Sequence, residues 1–249
     1  VLQGFQAVKE GMTAHAEEVA GRPTNFVFKA LTGVMFSNGH LWKQQRRFGM
    51  LTMRKLGVGK RSQEHQLQEE VRHLVEYFQK AKEKVQKELD TVLGPSHVIC
   101  YEDRKKVPYT NAVVHEIQRY SNIVLIALPR RSVKDTELLG FHIPKVQRSN
   151  IDSVLSDPEK WETPRQFNPG HFLDKDGNFV NREAFLPFSI GHRVCMGELL
   201  ARMELFIVFS TLLQAFRFIL PEGVKEINTE LVFGSTMKPP PYQLCAIPR

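Results

Sequence analysis

The sequence predicts a mainly α-helical protein with a minor β-sheet. Three observations carry that expectation. Apolar residues recur at helical spacing over several stretches. Strand-like runs are short and confined to residues 123–145 and the C-terminus. An irregular segment rich in Pro and Asn, Asp157-Pro158 through Gly177, lies between the two regular regions and must be pinned by side chains.

Taken in order, residues 1–40 read as short helices and loops: a helical stretch Val8–Ala20, a breaker Gly21-Arg22-Pro23, a second stretch Phe26–Met35 and a turn at Asn38-Gly39. Leu41 to Leu51 reads as a basic helix containing Trp42-Lys43-Gln44-Gln45-Arg46-Arg47-Phe48. After a break at Gly57-Val58-Gly59, Ser62 to Leu93 is one polar stretch of helical period. Its apolar positions include Leu67, Val71, Leu74, Val75, Val85, Leu89 and Val92, and its length without a stop signal is unusual. Gly94-Pro95 ends it. Tyr109 to Ser121 is a further helix entered through Pro108. Ile123 to Lys145 turns to short strands, and a helix Gly197–Phe218 follows the irregular segment. A strand pair, Leu231–Phe233 with Tyr242–Ile247, is expected around Pro239-Pro240-Pro241. No internal repeat or low-complexity run is present.

The 249 residues are 42% hydrophobic and 24% charged, enough for a large buried core and too apolar for disorder. The formal charge of +7 suits nucleic acid, an anionic membrane surface or an acidic protein partner, and a merely solvated basic surface equally well. Cys100, Cys195 and Cys245 are far apart and odd in number, so a reducing, cytosol-facing compartment fits better than a disulfide framework. No stretch reaches the roughly 18 uninterrupted apolar residues of a membrane span. The longest apolar region, Leu199 to Phe218, carries Arg202, Glu204, Gln214 and Arg217, as a core helix does. The chain opens at Val1 without a signal peptide and reads as cut at that end, any anchor lying in the missing part.

The chemistry concentrates in Phe188-Ser189-Ile190-Gly191-His192-Arg193-Val194-Cys195-Met196-Gly197. If the sulfur binds a metal, each part has a use. Gly191 and Gly197 permit backbone angles, or a close approach to a flat ligand, that a Cβ would block. The following helix points free N–H groups and its positive dipole end back at the sulfur, favouring thiolate. Arg193 can reach an anionic group on the same ligand, and Phe188 can pack on an aromatic face. A lone cysteine before a helix is more often an inert buried thiol. Glu116 and Arg119, spaced E-x-x-R, share a helix face, although Glu69/Arg72 and Glu162/Arg165 repeat the spacing and a solvated ion pair is the plain reading of any one. Trp42 and Arg46 share a face as well, where indole N–H and guanidinium can both bond a carboxylate. A surface basic helix reads the same way.

The five fixed positions F-x-x-G-x-R-x-C-x-G (Phe188, Gly191, Arg193, Cys195, Gly197) resemble the heme-binding loop of cytochrome P-450 enzymes, the heme-thiolate monooxygenases. The resemblance implies heme b as cofactor and Cys195 as its axial iron ligand. It implies Trp42 and Arg46 as propionate partners, with Arg193 and Arg130, the latter after Ala127-Leu128-Pro129. Trp161-Glu162-Thr163-Pro164-Arg165-Gln166-Phe167-Asn168-Pro169-Gly170-His171-Phe172 is similar to the family's meander, which implies a structural lock of Glu116, Arg119 and His171. Pro108-Tyr109-Thr110-Asn111-Ala112-Val113-Val114-His115-Glu116, Phe167 through Asp174, and Ala201-Arg202-Met203-Glu204-Leu205 look most like vertebrate microsomal family 2, subfamily J.

The resemblance covers residues 1–79, around the propionate helix, and 82–249, the C-terminal heme-binding half. The fold expected is an incomplete cytochrome P-450 fold over 1–249, with a junction near 79–82. The family's distal-helix motif, [AG]-G-x-[DE]-T, does not occur, so the acid–alcohol pair that relays protons is missing and no catalytic residue is identified. Val146-Gln147-Arg148 stands where the family has a glycine-threonine turn. The implied activity is insertion of one atom of O₂ into apolar substrates such as polyunsaturated fatty acids or xenobiotics. Pocket walls are expected at Phe26–Leu31, Val124–Leu128 and Phe233–Thr236. Implied partners are NADPH–cytochrome reductase, a small cytochrome electron donor and the cytosolic face of the endoplasmic reticulum membrane, and no nucleic acid. The alternative is a catalytically inactive heme-binding or reductase-binding fragment.

Overall fold

The computed structural model describes residues 4–23, 34–55, 83–121, 123–124, 128–145, 148–149, 154–224, 236 and 240–249, and these form two units. The first draws on residues 1–56, 124–165 and 183–196. Its helix α1 (Phe5–Thr13) begins where the Asp157 carboxylate accepts the Phe5 N–H at 2.9 Å, replacing the partner that a first-turn amide lacks. Phe5, Val8 and Met12 form its buried stripe, one helical turn apart. Helix α2 (Gly39–Lys55) buries Trp42 and carries Arg54 and Lys55 in its last turn, where cations suit the dipole. Strand β1 (Arg130–Arg131) pairs antiparallel with β4 (Arg148–Ser149). Strand β2 (Thr136–Leu138) pairs with β3 (Phe141–Ile143) through a two-residue turn. Both turn residues have positive φ, Leu139 at 49° and Gly140 at 77°, the primed geometry whose twist matches the strands. The Arg131 N–H donates to Gly21 O at 2.7 Å, tying the chain after α1 to β1.

The second unit draws on residues 57–123, 166–182 and 197–249. Helix α3 (Glu83–Val92) stops at Gly94, which has φ +91° and returns its N–H to Leu89 O at 3.0 Å. Helix α4 (Pro108–Ser121) is capped from α3: the Glu88 carboxylate accepts the N–H groups of Tyr109 and Thr110 at 3.0 and 2.7 Å and the Thr110 hydroxyl. Helix α5 (Glu198–Ala215) buries Met203, Phe206, Ile207, Ser210, Leu213 and Gln214, the 3.6-residue period of one face. With Val85, Leu89, Ile99, Val107, Val113 and Val114 its apolar members form the unit's core. Strand β5 (Phe216–Ile219) pairs antiparallel with β6 (Cys245–Pro248), Phe216 opposite Pro248 and Ile219 opposite Cys245.

Several boundaries differ from the sequence reading. The first helix starts at Phe5 and ends at Thr13, with turns over 14–19, because Asp157 caps it from a distant part of the chain. The helix expected to reach Phe218 ends at Ala215, and Phe216–Ile219 is strand. The run Phe-Arg-Phe-Ile, with three β-branched or aromatic residues in four, is as good a strand as a last helical turn. The terminal strand therefore has β5 as its partner, and begins at Cys245 rather than Tyr242. Residues 231–233, expected as a strand, lie outside the described residues, as do 26–31, 125–127 and 233–235 of the expected pocket walls. The same holds for the break at 57–59, residues 146–147, the junction near 79–82 and most of the stretch 62–93. The irregular segment is pinned as expected. In the first unit, the Trp161 indole donates to Val154 O at 3.0 Å. In the second, Asn168 Oδ1 accepts the Gly170 N–H and Asp174 Oδ1 those of Asp176 and Asn178, each at 2.9 Å. Among the described residues no helix is long and apolar enough to cross a membrane.

One half-buried base gives the second unit a pH signature. His115 on α4 bonds Asn111 O through Nδ1 at 2.8 Å, lies 3.3 Å from the Arg202 guanidinium through Nε2, and packs on Phe172 and Phe179. Burial, with the charges of Arg202 and Arg104, lowers its pKa to about 4, against the opposing Asn111 bond. Between about 4 and the ordinary 6.5 the unfolded chain binds a proton that the folded chain does not. Stability should fall as pH drops through that window, by at most about 3 kcal/mol. Urea midpoints measured from pH 7 to pH 4 should show that loss, and His115→Gln should flatten it. An unchanged slope in the variant would assign the acid lability elsewhere.

Candidate functional site

The cysteine loop is shaped by its own backbone. A single 3₁₀ turn over Gly191–Arg193 closes with Val194 N–H on Gly191 O at 3.0 Å, and the Cys195 N–H donates to Phe188 O at 3.0 Å. Gly191 has φ +77°, and a Cβ there would lie 1.8 Å from the Met12 carbonyl oxygen of α1. The need for glycine thus comes from the protein's own backbone. Gly197 is different: at φ −91° and ψ 8° it adopts angles open to any residue, so the conformational argument holds at Gly191 and not at Gly197. Ser189 takes φ 65°, strain of order 1 kcal/mol at a non-glycine position, and its hydroxyl accepts from Arg130 Nη2 at 3.0 Å. The Cys195 side chain is exposed, whereas Cys100 and Cys245 are half-buried. Phe188 contributes its carbonyl to this frame, and its ring is half-buried.

Around the loop stand more cations than anions. Trp42 is 6% exposed and its indole N–H has no hydrogen-bond partner among the described residues. The Arg193 guanidinium stacks on the Trp42 ring at 3.8 Å, and Arg46 approaches it at 5.8 Å. Arg193 donates to the carbonyls of Ala20 (2.8 Å), Val34 (3.3 Å) and Ser37 (2.9 Å). Arg46 donates to Val194 O at 3.1 Å. Arg130 is buried, and its Nε has no partner among the described residues. The sequence reading missed a fourth guanidinium, Arg22, taken there for part of a Gly-Pro breaker. It is buried and donates to Met35 O, Leu128 O and Pro129 O at 2.9–3.0 Å. Its own N–H and C=O are both bound by the Asn38 side chain, at 2.6 and 3.1 Å. Only the folded chain brings those segments together, so no local pattern marks Arg22.

Burial is the main cause that pushes Arg130 and Arg193 down to about 9 and Arg22 to about 10. For Arg130 the charges of Arg22, Arg193 and Arg46 add to it, and for Arg193 those of Arg22 and Arg46. Burial also lowers Arg46, with Cys195 opposing. No carboxylate among the described residues pairs with any of the four. Donors facing one another without an anion, beside an exposed thiol, are matched to a ligand bearing carboxylates and a thiolate-seeking metal. A cavity of about 580 Å³ opens on this face, lined by Trp42, Arg46, Arg193 and His192 among others.

The second unit brings Glu116, Arg119 and His171 together. Glu116, Arg119 and His171 are 0%, 1% and 2% exposed. Arg119 forks onto Glu116 through Nε (2.7 Å) and Nη2 (2.8 Å), and Nη2 also reaches Gln166 O at 2.9 Å. Glu116 further accepts the Asn168 N–H at 2.7 Å and lies 3.2 Å from His171 Nδ1. Glu162 and Arg165 lie in turns, off any helix, and Glu69/Arg72 lies outside the described residues.

A family model described as cytochrome P450 matches the chain in two segments, residues 1–84 and 79–246. The chain is 49% identical over 168 residues to cytochrome P450 2D28 of Mesocricetus auratus. It is 51% identical over 170 residues both to cytochrome P450 2K6 of Danio rerio and to cytochrome P450 2W1 of Homo sapiens. Each match covers 67% of this chain and 34% of the relative, so the chain spans about a third of the length of the curated proteins it matches.

Proposed function

The chain belongs to the cytochrome P450 family, and we propose from that premise that it is a heme-thiolate protein of microsomal type acting as a monooxygenase on apolar organic molecules. When bound, heme b supplies the redox-active iron at which one atom of O₂ is transferred to substrate with two electrons from a reductase. Cys195 would hold the iron as its thiolate. Trp42 Nε1, Arg46, Arg130 and Arg193 would hold the two propionates, exchanging uncompensated buried charge for charge-assisted hydrogen bonds. The single observation that supports this most is the indole N–H of Trp42, without a partner among the described residues, amid guanidiniums that no described carboxylate pairs. Glu116, Arg119 and His171 act structurally, fixing residues 166–171 by hydrogen bonds to Gln166 and Asn168. Polyunsaturated fatty acids and drug-like molecules as substrates rest only on the resemblance of the sequence to subfamily J, whereas the relatives reported above belong to 2D, 2K and 2W. Location at the cytosolic face of the endoplasmic reticulum membrane rests on resemblance alone.

A second reading, a chain that holds heme or binds the reductase without oxygenating substrate, is favoured by one sequence feature. No [AG]-G-x-[DE]-T motif occurs, and the two matched segments meet at 79–84. No acid–alcohol pair of this chain is therefore assigned to proton delivery. The measurement that separates the readings is oxygenated product formed per NADPH consumed, with reductase and a polyunsaturated fatty acid. Product in step with NADPH supports the monooxygenase. Heme uptake with NADPH consumption and no product supports the second reading.

The reductase is proposed to meet the exposed basic side of α2 at Lys43 and Arg47. Lys43 already faces Glu17 at 3.4 Å, an exposed pair worth under about 1 kcal/mol, and stays available to a partner. Association should slow as salt rises and slow further in Lys43→Glu, with dissociation little changed. Stopped-flow association rates insensitive to both would show that this side is merely solvated.

A further inference from the structure

The cavity beside α2 joins Arg46 and Arg193, given above to the propionates, with cations that the heme reading leaves unassigned. Four cations line it, Lys43, Arg46, Arg47 and Arg193, against one carboxylate, Glu17, which lies at 3.4 Å from Lys43. Trp42 and His192 also belong to the lining. Arg193 is held in place before any ligand arrives, by three backbone carbonyls and the Trp42 ring. Such preorganisation lowers the ordering cost of binding. The donors are directional and numerous, which suits an oxyanion with several acceptor oxygens and does nothing special for chloride.

We infer that in the heme-free chain this cradle of Arg46, Arg193 and His192 binds inorganic phosphate, and that phosphate and heme carboxylates compete for it. The first half stands on the cavity alone, and the competition rests on the proposed heme site. Phosphate then steadies the heme-free protein and must leave before the cofactor seats, so apparent heme affinity falls with phosphate concentration by the factor one plus the ratio of phosphate to its dissociation constant.

The test uses the full 249-residue chain without heme, at constant ionic strength set with sodium chloride. Phosphorus NMR linewidths should broaden saturably on adding protein, and sulfate should displace the phosphate. Arg46→Ala should weaken binding about tenfold, the equivalent of one charged hydrogen bond. Arg46→Lys, which keeps the charge and loses the fork, should fall between the two and covers the case of a poorly folded alanine variant. In a second arm, hemin titrations should show half-saturation rising with phosphate and not with chloride. Linewidths unmoved by wild-type protein, or an Arg46→Ala chain that binds phosphate like wild type, overturns the cradle. Hemin uptake indifferent to phosphate overturns the competition while leaving the heme site standing. Phosphate binding with no hemin uptake overturns the heme reading and the competition together, and leaves the cradle standing.

Discussion

Glu116→Ala should yield a chain that loses solubility and heme uptake together. The Glu116 carboxylate, 0% exposed, receives Arg119 twice, the Asn168 N–H and the His171 ring. Truncating it takes the carboxylate away from the Arg119 guanidinium, itself 1% exposed, and with it both charge-assisted bonds. Breaking a buried pair from one side costs about 3–5 kcal/mol, a large share of the roughly 5–15 kcal/mol that holds a domain folded. Glu116→Gln keeps the shape, loses the charge and should fall between. The readouts are the soluble fraction on expression and hemin loading of whatever remains soluble. A soluble, fully loaded Glu116→Ala chain with altered turnover alone would contradict a structural role and point to one in catalysis.

Gly191→Ala is the second large effect, and its cause is steric. The new methyl would sit 1.8 Å from Met12 O, a backbone atom that cannot swing aside, at φ +77°. The left-handed angle alone costs an L-residue about 1–2 kcal/mol. Relieving the overlap means moving α1 or the cysteine loop, at about 1–3 kcal/mol more. Thermal unfolding should drop by several degrees, and hemin affinity should drop with it because the loop carries Cys195. Gly197→Ala is the internal control: at φ −91° it should stay within about 1 kcal/mol of wild type. Equal behaviour of the two variants would remove the steric argument.

What the sequence disclosed, and what it hid, follows from how local the signals are. The helix over Pro108–Ser121 is legible because its proline start and apolar period are both local. The E-x-x-R pair on that helix is legible, and the resemblance of 161–172 to the family's meander singles it out from two other pairs of the same spacing. The folded segment 166–171 adds the bonds from Arg119 to Gln166 O and from the Asn168 N–H to Glu116. Where a boundary is set from afar, the reading drifts. Asp157 begins α1 across 152 residues, and β6 draws Phe216–Ile219 out of the helix. The cysteine loop declares itself by composition, but the reason for Gly191 does not, since Met12 lies far back along the chain. Arg22 is invisible for the same cause: its three carbonyl partners come from two distant segments.

The central claim is that Cys195, and neither of the other cysteines, is the thiolate that holds heme iron in this chain. The ferrous–carbon monoxide spectrum of hemin-reconstituted protein tests it most directly, because a strongly red-shifted Soret band requires a thiolate opposite the gas. Wild type, Cys100→Ala and Cys245→Ala should all show the band, and Cys195→Ala should lose it while still taking up hemin through Trp42, Arg46, Arg130 and Arg193. A red-shifted band that survives in Cys195→Ala, or that disappears in Cys100→Ala, would contradict the assignment.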